Sequence, residues 1–183
     1  EMYTSGKWKE QGLLICNEIH PARAKILSEN VERMGIANAM VTNESPQRLA
    51  EVFEDYFTRI LVDAPCSGEG MFRKNEAACE EWNPENVRLG AERQDGILDC
   101  AASMLAPGGR IVYSTCTFAP AENEGSMTRF LLRHPEFHIV EVKKAEGMSA
   151  GVPEWAYFGE KMGQVLPEIA QTIRLWPQHL KGE

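Results

Sequence analysis

Short, continuous apolar runs alternate with longer amphipathic stretches along this chain, and that alternation limits its fold more than any other feature. Leu13-Leu14-Ile15-Cys16 is the first run and breaks into Asn17-Glu18. A helix is expected next, with Pro21 in its first turn, Ala24, Leu27, Val31 and Met34 on one face, and Gly35 as its stop. A second strand is expected at 38–42, then a short helix capped by Ser45 with Pro46 at its first position. Ile60-Leu61-Val62 reads as a third strand. Asn83-Pro84 opens a long helix through about Met104, which Pro107-Gly108-Gly109 ends. Ile111-Val112-Tyr113, a helix over 122–133 and a fifth strand at 139–142 complete the series. Apolar strands between amphipathic helices predict a mostly parallel sheet covered on both faces. The expected fold class is α/β, doubly wound. Beyond 144 the alternation gives way to Gly, Pro and aromatic residues, so 144–183 reads as an irregular elaboration of one domain spanning 1–183, with a short helix near 166–172.

The chain has 183 residues, 43% hydrophobic and 25% charged, which suits a single domain that buries roughly 70% of its unfolded surface. No apolar run approaches the roughly 20 residues of a membrane span, and no signal peptide opens the chain, so a cytoplasmic protein is expected. The formal net charge of -8 has the wrong sign for a domain that grips phosphates over a broad surface. Any nucleic-acid contact must then fall on a local basic patch or on flanking modules. Five cysteines without a CxxC pair argue against a structural metal and against a disulfide scaffold. Most of them read as small buried hydrophobes. Four scattered histidines (20, 134, 138 and 179) have no evident partner.

Ligands in open α/β sheets bind beyond the carboxyl ends of the strands, so the polar residues there are the ones to weigh. Glu18 can accept hydrogen bonds from a ribose diol; equally, it is an acid favoured by the following helix dipole. In Asp63-Ala64-Pro65-Cys66-Ser67-Gly68-Glu69-Gly70 an apolar strand runs into an acid, a rigid proline, a thiol and two turn-permitting glycines. Arg73-Lys74 follows, a basic pair suited to a phosphate or simply exposed. Ser114-Thr115-Cys116-Thr117 ends the next strand. Neighbouring strands would bring Cys66 and Cys116 to one cleft, where two thiols and an acid fit nucleophilic chemistry. Two structural cysteines remain the competing reading. Glu122-Asn123-Glu124 sits at a helix start, where acids cap.

DAPCSGEG and STCT with its downstream ENE closely resemble signature motifs of the Nop/Sun (RsmF-like) RNA 5-methylcytosine methyltransferases. The intervening Phe72-Arg73-Lys74, Trp82-Asn83-Pro84-Glu85 and Leu105-Ala106-Pro107-Gly108-Gly109 fit as well, and so do Asn17-Glu18, Pro21, Arg23, Asn30 and Arg33-Met34-Gly35. The resemblance covers most of residues 13–143. It implies a Rossmann-like class I methyltransferase core that uses S-adenosylmethionine and acts on RNA, ribosomal rather than transfer RNA. It also implies that Cys116 adds to carbon 6 of a cytosine, that Cys66 assists loss of the carbon-5 proton and release of the enzyme, and that Asp63 serves the cofactor side and polarises the ring. Glu18 would hold the cofactor ribose, with Asn43 or Ser45 near the adenine, where many members carry Asp. Pro65, Arg73 and Lys74 would face the RNA. No metal or membrane is implied.

The family's Gly-rich cofactor loop is not found: residues 1–12 resemble the end of the helix that follows it, and the final strand expected after 183 is missing. A fragment is therefore expected, with RNA-binding domains flanking it in the longer protein. Two alternatives stand beside this reading: a transfer-RNA methyltransferase, and a catalytically silent fold that binds RNA or serves ribosome assembly. A cysteine redox protein is disfavoured by the lack of CxxC.

Overall fold

The structure, a computed structural model, describes residues 12–72, 76–156 and 165–179. The chain divides into two compact units, Glu1–Phe53 and Glu54–Glu183.

In the first unit β1 (Leu14–Asn17) pairs in parallel with β2 (Ala39–Thr42), with Leu14 opposite Ala39 and Asn17 opposite Thr42. The crossover is α1 (Pro21–Arg33), which opens on a proline and buries Ala24 and Val31. It ends at Arg33 because Gly35 takes a left-handed φ of 65° that a side chain would resist. In α2 (Pro46–Val52) the Ser45 hydroxyl accepts the Arg48 amide at 3.3 Å, as the sequence predicts.

The second unit is built on β3 (Phe57–Asp63) and β4 (Leu105–Ser114), a parallel pair joined through the short α3 (Glu76–Glu81) and the long α4 (Pro84–Met104). Asn83 caps α4 through its side chain, and Pro84 occupies the first turn. One face of α4, carrying Gly90, Ala91, Gln94, Leu98, Ala101 and Met104, is buried at helical spacing. Leu98 packs with Phe130, Leu131 and Ile169, while Ala101 packs with Val62 and Ala64 beneath β3. Burial of the Leu98 side chain contributes about 2 kcal/mol. The next helix, α5 (Glu124–Arg133), lies against α4, tied by ion pairs that include Arg129 to Asp95 at 2.7 Å and Arg133 to Asp99 at 2.9 Å.

Several expectations are corrected. Helix α4 stops at Met104, and Pro107-Gly108-Gly109 lies inside β4, where the register with β3 shifts between Phe57 and Arg59. A β-bulge tolerates a proline and a positive-φ glycine, so those residues interrupt a strand rather than end a helix. The expected strand at 139–142 does not form; this stretch has no regular secondary structure. A separate small antiparallel pair, β5 (Met148–Ala150) and β6 (Ile173–Leu175), forms instead inside the region expected to be irregular. The short helix near 166–172 is a 3₁₀ turn, Pro167–Gln171, whose Ile169 is fully buried. Cysteines 16 and 100 are only partly buried and Cys79 is exposed, so none of the three is a core residue. His134 is not unpartnered: its Nε2 lies 2.9 Å from Asp99, and its ring packs on Phe130. Among the described residues no helix is long and apolar enough to cross a membrane.

Candidate active site

Strands β3 and β4 end in register, with Asp63 opposite Ser114, and each then turns into a loop that carries a thiol. The Ala64 amide continues the ladder by donating to the Ser114 carbonyl at 2.9 Å. Beyond that point the loops are tied by side chains. The sulfurs of Cys66 and Cys116 stand 3.2 Å apart, so one thiol donates to the other. Cys116 is exposed and Cys66 half-buried. The Cys66 thiol is pushed up to about 12, first by burial and then by its bond to Cys116. At neutral pH Cys66 therefore keeps its proton and can offer it to the sulfur of Cys116, the more exposed of the two.

The loops are fixed on the far side by a buried polar hub. Glu122, fully buried, accepts the Ser67 amide at 3.0 Å and the Gln94 amide nitrogen at 2.9 Å, and also the Ser67 hydroxyl. Gln94, equally buried, donates to the Pro65 carbonyl at 3.0 Å and accepts from Tyr113 at 2.8 Å and Ser126 at 3.1 Å. A buried amide with all its bonds made is a rigid support, and this one holds the carbonyl immediately before Cys66. Helix α4 makes room for the hub with a glycine: a Cβ at Gly90 would run into the Glu122 carboxylate, 3.0 Å from its Cδ.

The Cys116 loop has its own clamps. Glu69 accepts from the Thr117 hydroxyl at 2.6 Å and the Phe118 amide at 2.7 Å. Asn123 accepts from Thr115 at 2.7 Å and donates to the carbonyls of Thr117 and Ala119, both at 3.0 Å. Arg174 of β6, buried between the rings of Trp155 and Trp176, donates to both carboxylate oxygens of Glu124 and to the Phe118 carbonyl at 3.1 Å. Removing either partner would strand a buried charge, which makes this pair a strong lock on the loop.

In the first unit, Glu18, Asn43 and Ser45 gather at the carboxyl ends of β1 and β2. The Glu18 carboxylate accepts the His20 amide at 2.9 Å and pairs with Arg23 at 2.9 Å. Asn43 donates to the carbonyls of Glu18 and Ile19, which fixes the loop. Arg73 and Lys74 lie outside the described residues.

Sequence reasoning missed the hub. Glu122 is not a helix cap; it sits in the 3₁₀ turn Pro120–Glu122 and points into the protein. Gln94 could have been found, since a polar residue at a core position of a helix must have partners. The hub also titrates. Burial raises the Glu122 carboxyl above its ordinary 4.5, against the pull of its hydrogen bonds. A folded state that binds a proton more tightly than the unfolded one is stabilised at low pH, and this contribution is lost as pH rises through the folded value. Relative to Glu122→Gln, the parent protein is thus expected to lose stability as pH climbs above 4.5. Denaturant midpoints of both proteins across that range test this, and parallel curves would contradict it.

Parallel strands with helical crossovers make up the Rossmann-like, doubly wound fold of class I methyltransferases. A methyltransferase homologue from Pyrococcus horikoshii shares it, with a TM-score of 0.70 and 23% identity over 88% of this chain and 47% of that one. So does NSun6 from Pyrococcus horikoshii, solved with SFG, at a TM-score of 0.59 and 24% identity over 83% of this chain and 37% of that one. The chain belongs to the 16S rRNA methyltransferase RsmB/F family, whose sequence model matches residues 3–183. Ribosomal RNA small subunit methyltransferase F of Cronobacter sakazakii is 37% identical over 161 residues, which is 88% of this chain and 33% of that relative. The chain thus spans about a third of the length of this curated relative.

Proposed function

We propose that the protein to which this chain belongs transfers a methyl group from S-adenosylmethionine to carbon 5 of a cytosine in RNA, through a covalent cysteine adduct. The observation that carries the reading is the approach of the two sulfurs to 3.2 Å at adjacent strand ends. The RsmB/F relatives are named for ribosomal RNA of the small subunit, which favours ribosomal over transfer RNA as substrate. Reduced thiols at the centre suit the cytoplasm.

The residues fit the cofactor. Glu18 presents a carboxylate at the end of β1, anchored by His20 and Arg23, with acceptor capacity left for a ribose diol. Asn43 and Ser45 at the end of β2 are proposed near the adenine, and Asp63 on the cofactor side. An SFG molecule, an S-adenosylmethionine analogue, accompanies the Pyrococcus NSun6 structure. When bound, S-adenosylmethionine supplies an electrophilic methyl group.

Cytosine carbon 5 is a poor nucleophile unaided, so the protein must supply electrons to the ring. Cys116, exposed and hydrogen-bonded to Cys66, gives up its proton to solvent and adds as thiolate to carbon 6, opening the carbon 5–carbon 6 double bond and making carbon 5 electron-rich. Asp63 polarises the ring. Burial keeps Cys66 protonated, so in this reading its thiol first gives its proton to solvent; the sulfur then takes the carbon-5 proton, the freed electron pair re-forms the carbon 5–carbon 6 double bond, and Cys116 leaves as thiolate. Pro65, held through its carbonyl by Gln94, walls the substrate side, and Arg73 and Lys74 take a phosphate. The base must be unstacked to expose its ring faces, and RNA-binding domains flanking this chain would hold the strand.

Full-length protein incubated with methyl-labelled cofactor and 16S ribosomal RNA is expected to place the label in 5-methylcytosine on nucleoside digestion. Label in another nucleoside, or none, would overturn the reading.

A further inference from the structure

Against the loops that carry Cys66 and Cys116 lies an open recess of about 570 Å³, lined by Glu69, Phe72, Trp82, Phe118, Ala119 and Pro120. Three of its six lining residues are aromatic, and they come from three separate segments. Phe72 follows the Cys66 loop, Trp82 precedes α4, and Phe118 lies two positions after Cys116. Phe118 cannot swing away freely: its ring stacks on Trp176 at 5.3 Å with planes 16° apart, and Arg174 and Glu69 hold its backbone. The Trp82 indole nitrogen is buried with no hydrogen-bond partner among the described residues. One carboxylate, that of Glu69, stands among the rings.

We infer that this recess receives the nucleobase adjacent to the target cytosine in the RNA strand. The inference deepens the function proposed above and rests on it. Drawing a base out of a stack uncovers a π-face on its neighbour, and aromatic side chains close to the nucleophile replace the lost stacking. The recess is continuous with the catalytic loops, since Glu69 and Phe118 belong to both. Its volume accommodates a base with its ribose. The Glu69 carboxylate complements the N–H edge of a base and repels a phosphate, so the backbone stays outside. A phosphate-binding groove would need cations in its walls, and this one has none among its described lining residues.

The test compares full-length protein with Trp82→Leu, Phe72→Leu and Trp82→Phe variants, binding a short single-stranded oligocytidylate or an abasic oligomer of equal length. Each leucine variant is expected to bind oligocytidylate about tenfold more weakly and the abasic oligomer unchanged, with Trp82→Phe restoring most of the loss. Equal losses on both oligomers, or no loss on either, would overturn the inference. Photocrosslinking of the parent to a 5-iodocytidine oligomer needs no variant to fold: adducts on Phe72, Trp82 or Phe118 support the recess, and adducts only elsewhere refute it. Methyl transfer measured in parallel separates the two readings. A parent that binds in this pattern but transfers no methyl leaves the base site standing and removes the enzyme reading.

Discussion

Replacing Cys116 by alanine in the full-length protein is expected to lower methyl transfer by roughly 10⁴-fold or more, because the covalent route to an electron-rich carbon 5 is lost. Replacing Cys66 by serine is expected to have a different signature. Cys116 remains exposed and, on the proposed mechanism, can still add to the ring, but the sulfur proposed to assist proton loss and release is gone. A protein–RNA adduct that survives denaturing electrophoresis should then accumulate, and it should vanish in the variant lacking both thiols. The asymmetry follows from geometry. The half-buried sulfur lies behind the exposed one, and its proton affinity is raised by burial. A catalytically silent RNA binder predicts no transfer by the parent and no adduct with any variant. If the adduct formed instead with Cys116→Ala, the two sulfurs would have exchanged roles, and the assignment above would be wrong.

How much of this was legible in the residues differs between strands, loops and hub. The parallel pairs and their helices were legible because buried strands read as apolar runs, and because Ser45, Asn83, Pro21 and Pro84 mark helix starts by local chemistry. The meeting of the thiols was legible too, since neighbouring strand ends are brought together by topology rather than by side-chain detail. Strand 139–142 was misread because an apolar run forms a strand only where a partner edge exists, and partner edges are not encoded locally. The β5–β6 pair escaped notice for the converse reason: two three-residue strands far apart in sequence carry no periodicity. Glu122 was read as a cap because acids at helix starts usually are. Its real partners, Ser67 and Gln94, lie 55 and 28 positions away.

Gly70→Ala is expected to slow methyl transfer about a hundredfold or more while leaving the protein folded. Gly70 donates its amide to the Cys116 carbonyl at 2.7 Å, so the backbones of the Cys66 and Cys116 loops touch there. A Cβ at Gly70 would overlap that carbonyl oxygen, 3.2 Å from its carbon and 3.5 Å from the Cys116 Cβ. Backbone cannot rotate out of the way as a side-chain tip can, so the loops must move. The Gly70 side is fastened by the Met71 and Phe72 amides, which donate to Gly68 and Glu69, and by the Glu69 bonds to Thr117 and Phe118. The Cys116 loop is clamped as well, so the displacement is shared by both loops and reaches Cys116. Overpacking of this kind costs about 1–3 kcal/mol in stability, too little to unfold a domain of ordinary margin. Moving a nucleophile by about 1 Å, however, costs on the order of 10² in rate. Gly96→Ala is the control: it lies in α4 with nothing within 4 Å of its Cβ, and there alanine should gain roughly 0.5–1 kcal/mol of helix stability at unchanged rate. Turnover and thermal midpoints of the two variants decide the matter. A Gly70→Ala protein with parental turnover would mean that something other than this backbone contact places the Cys116 sulfur.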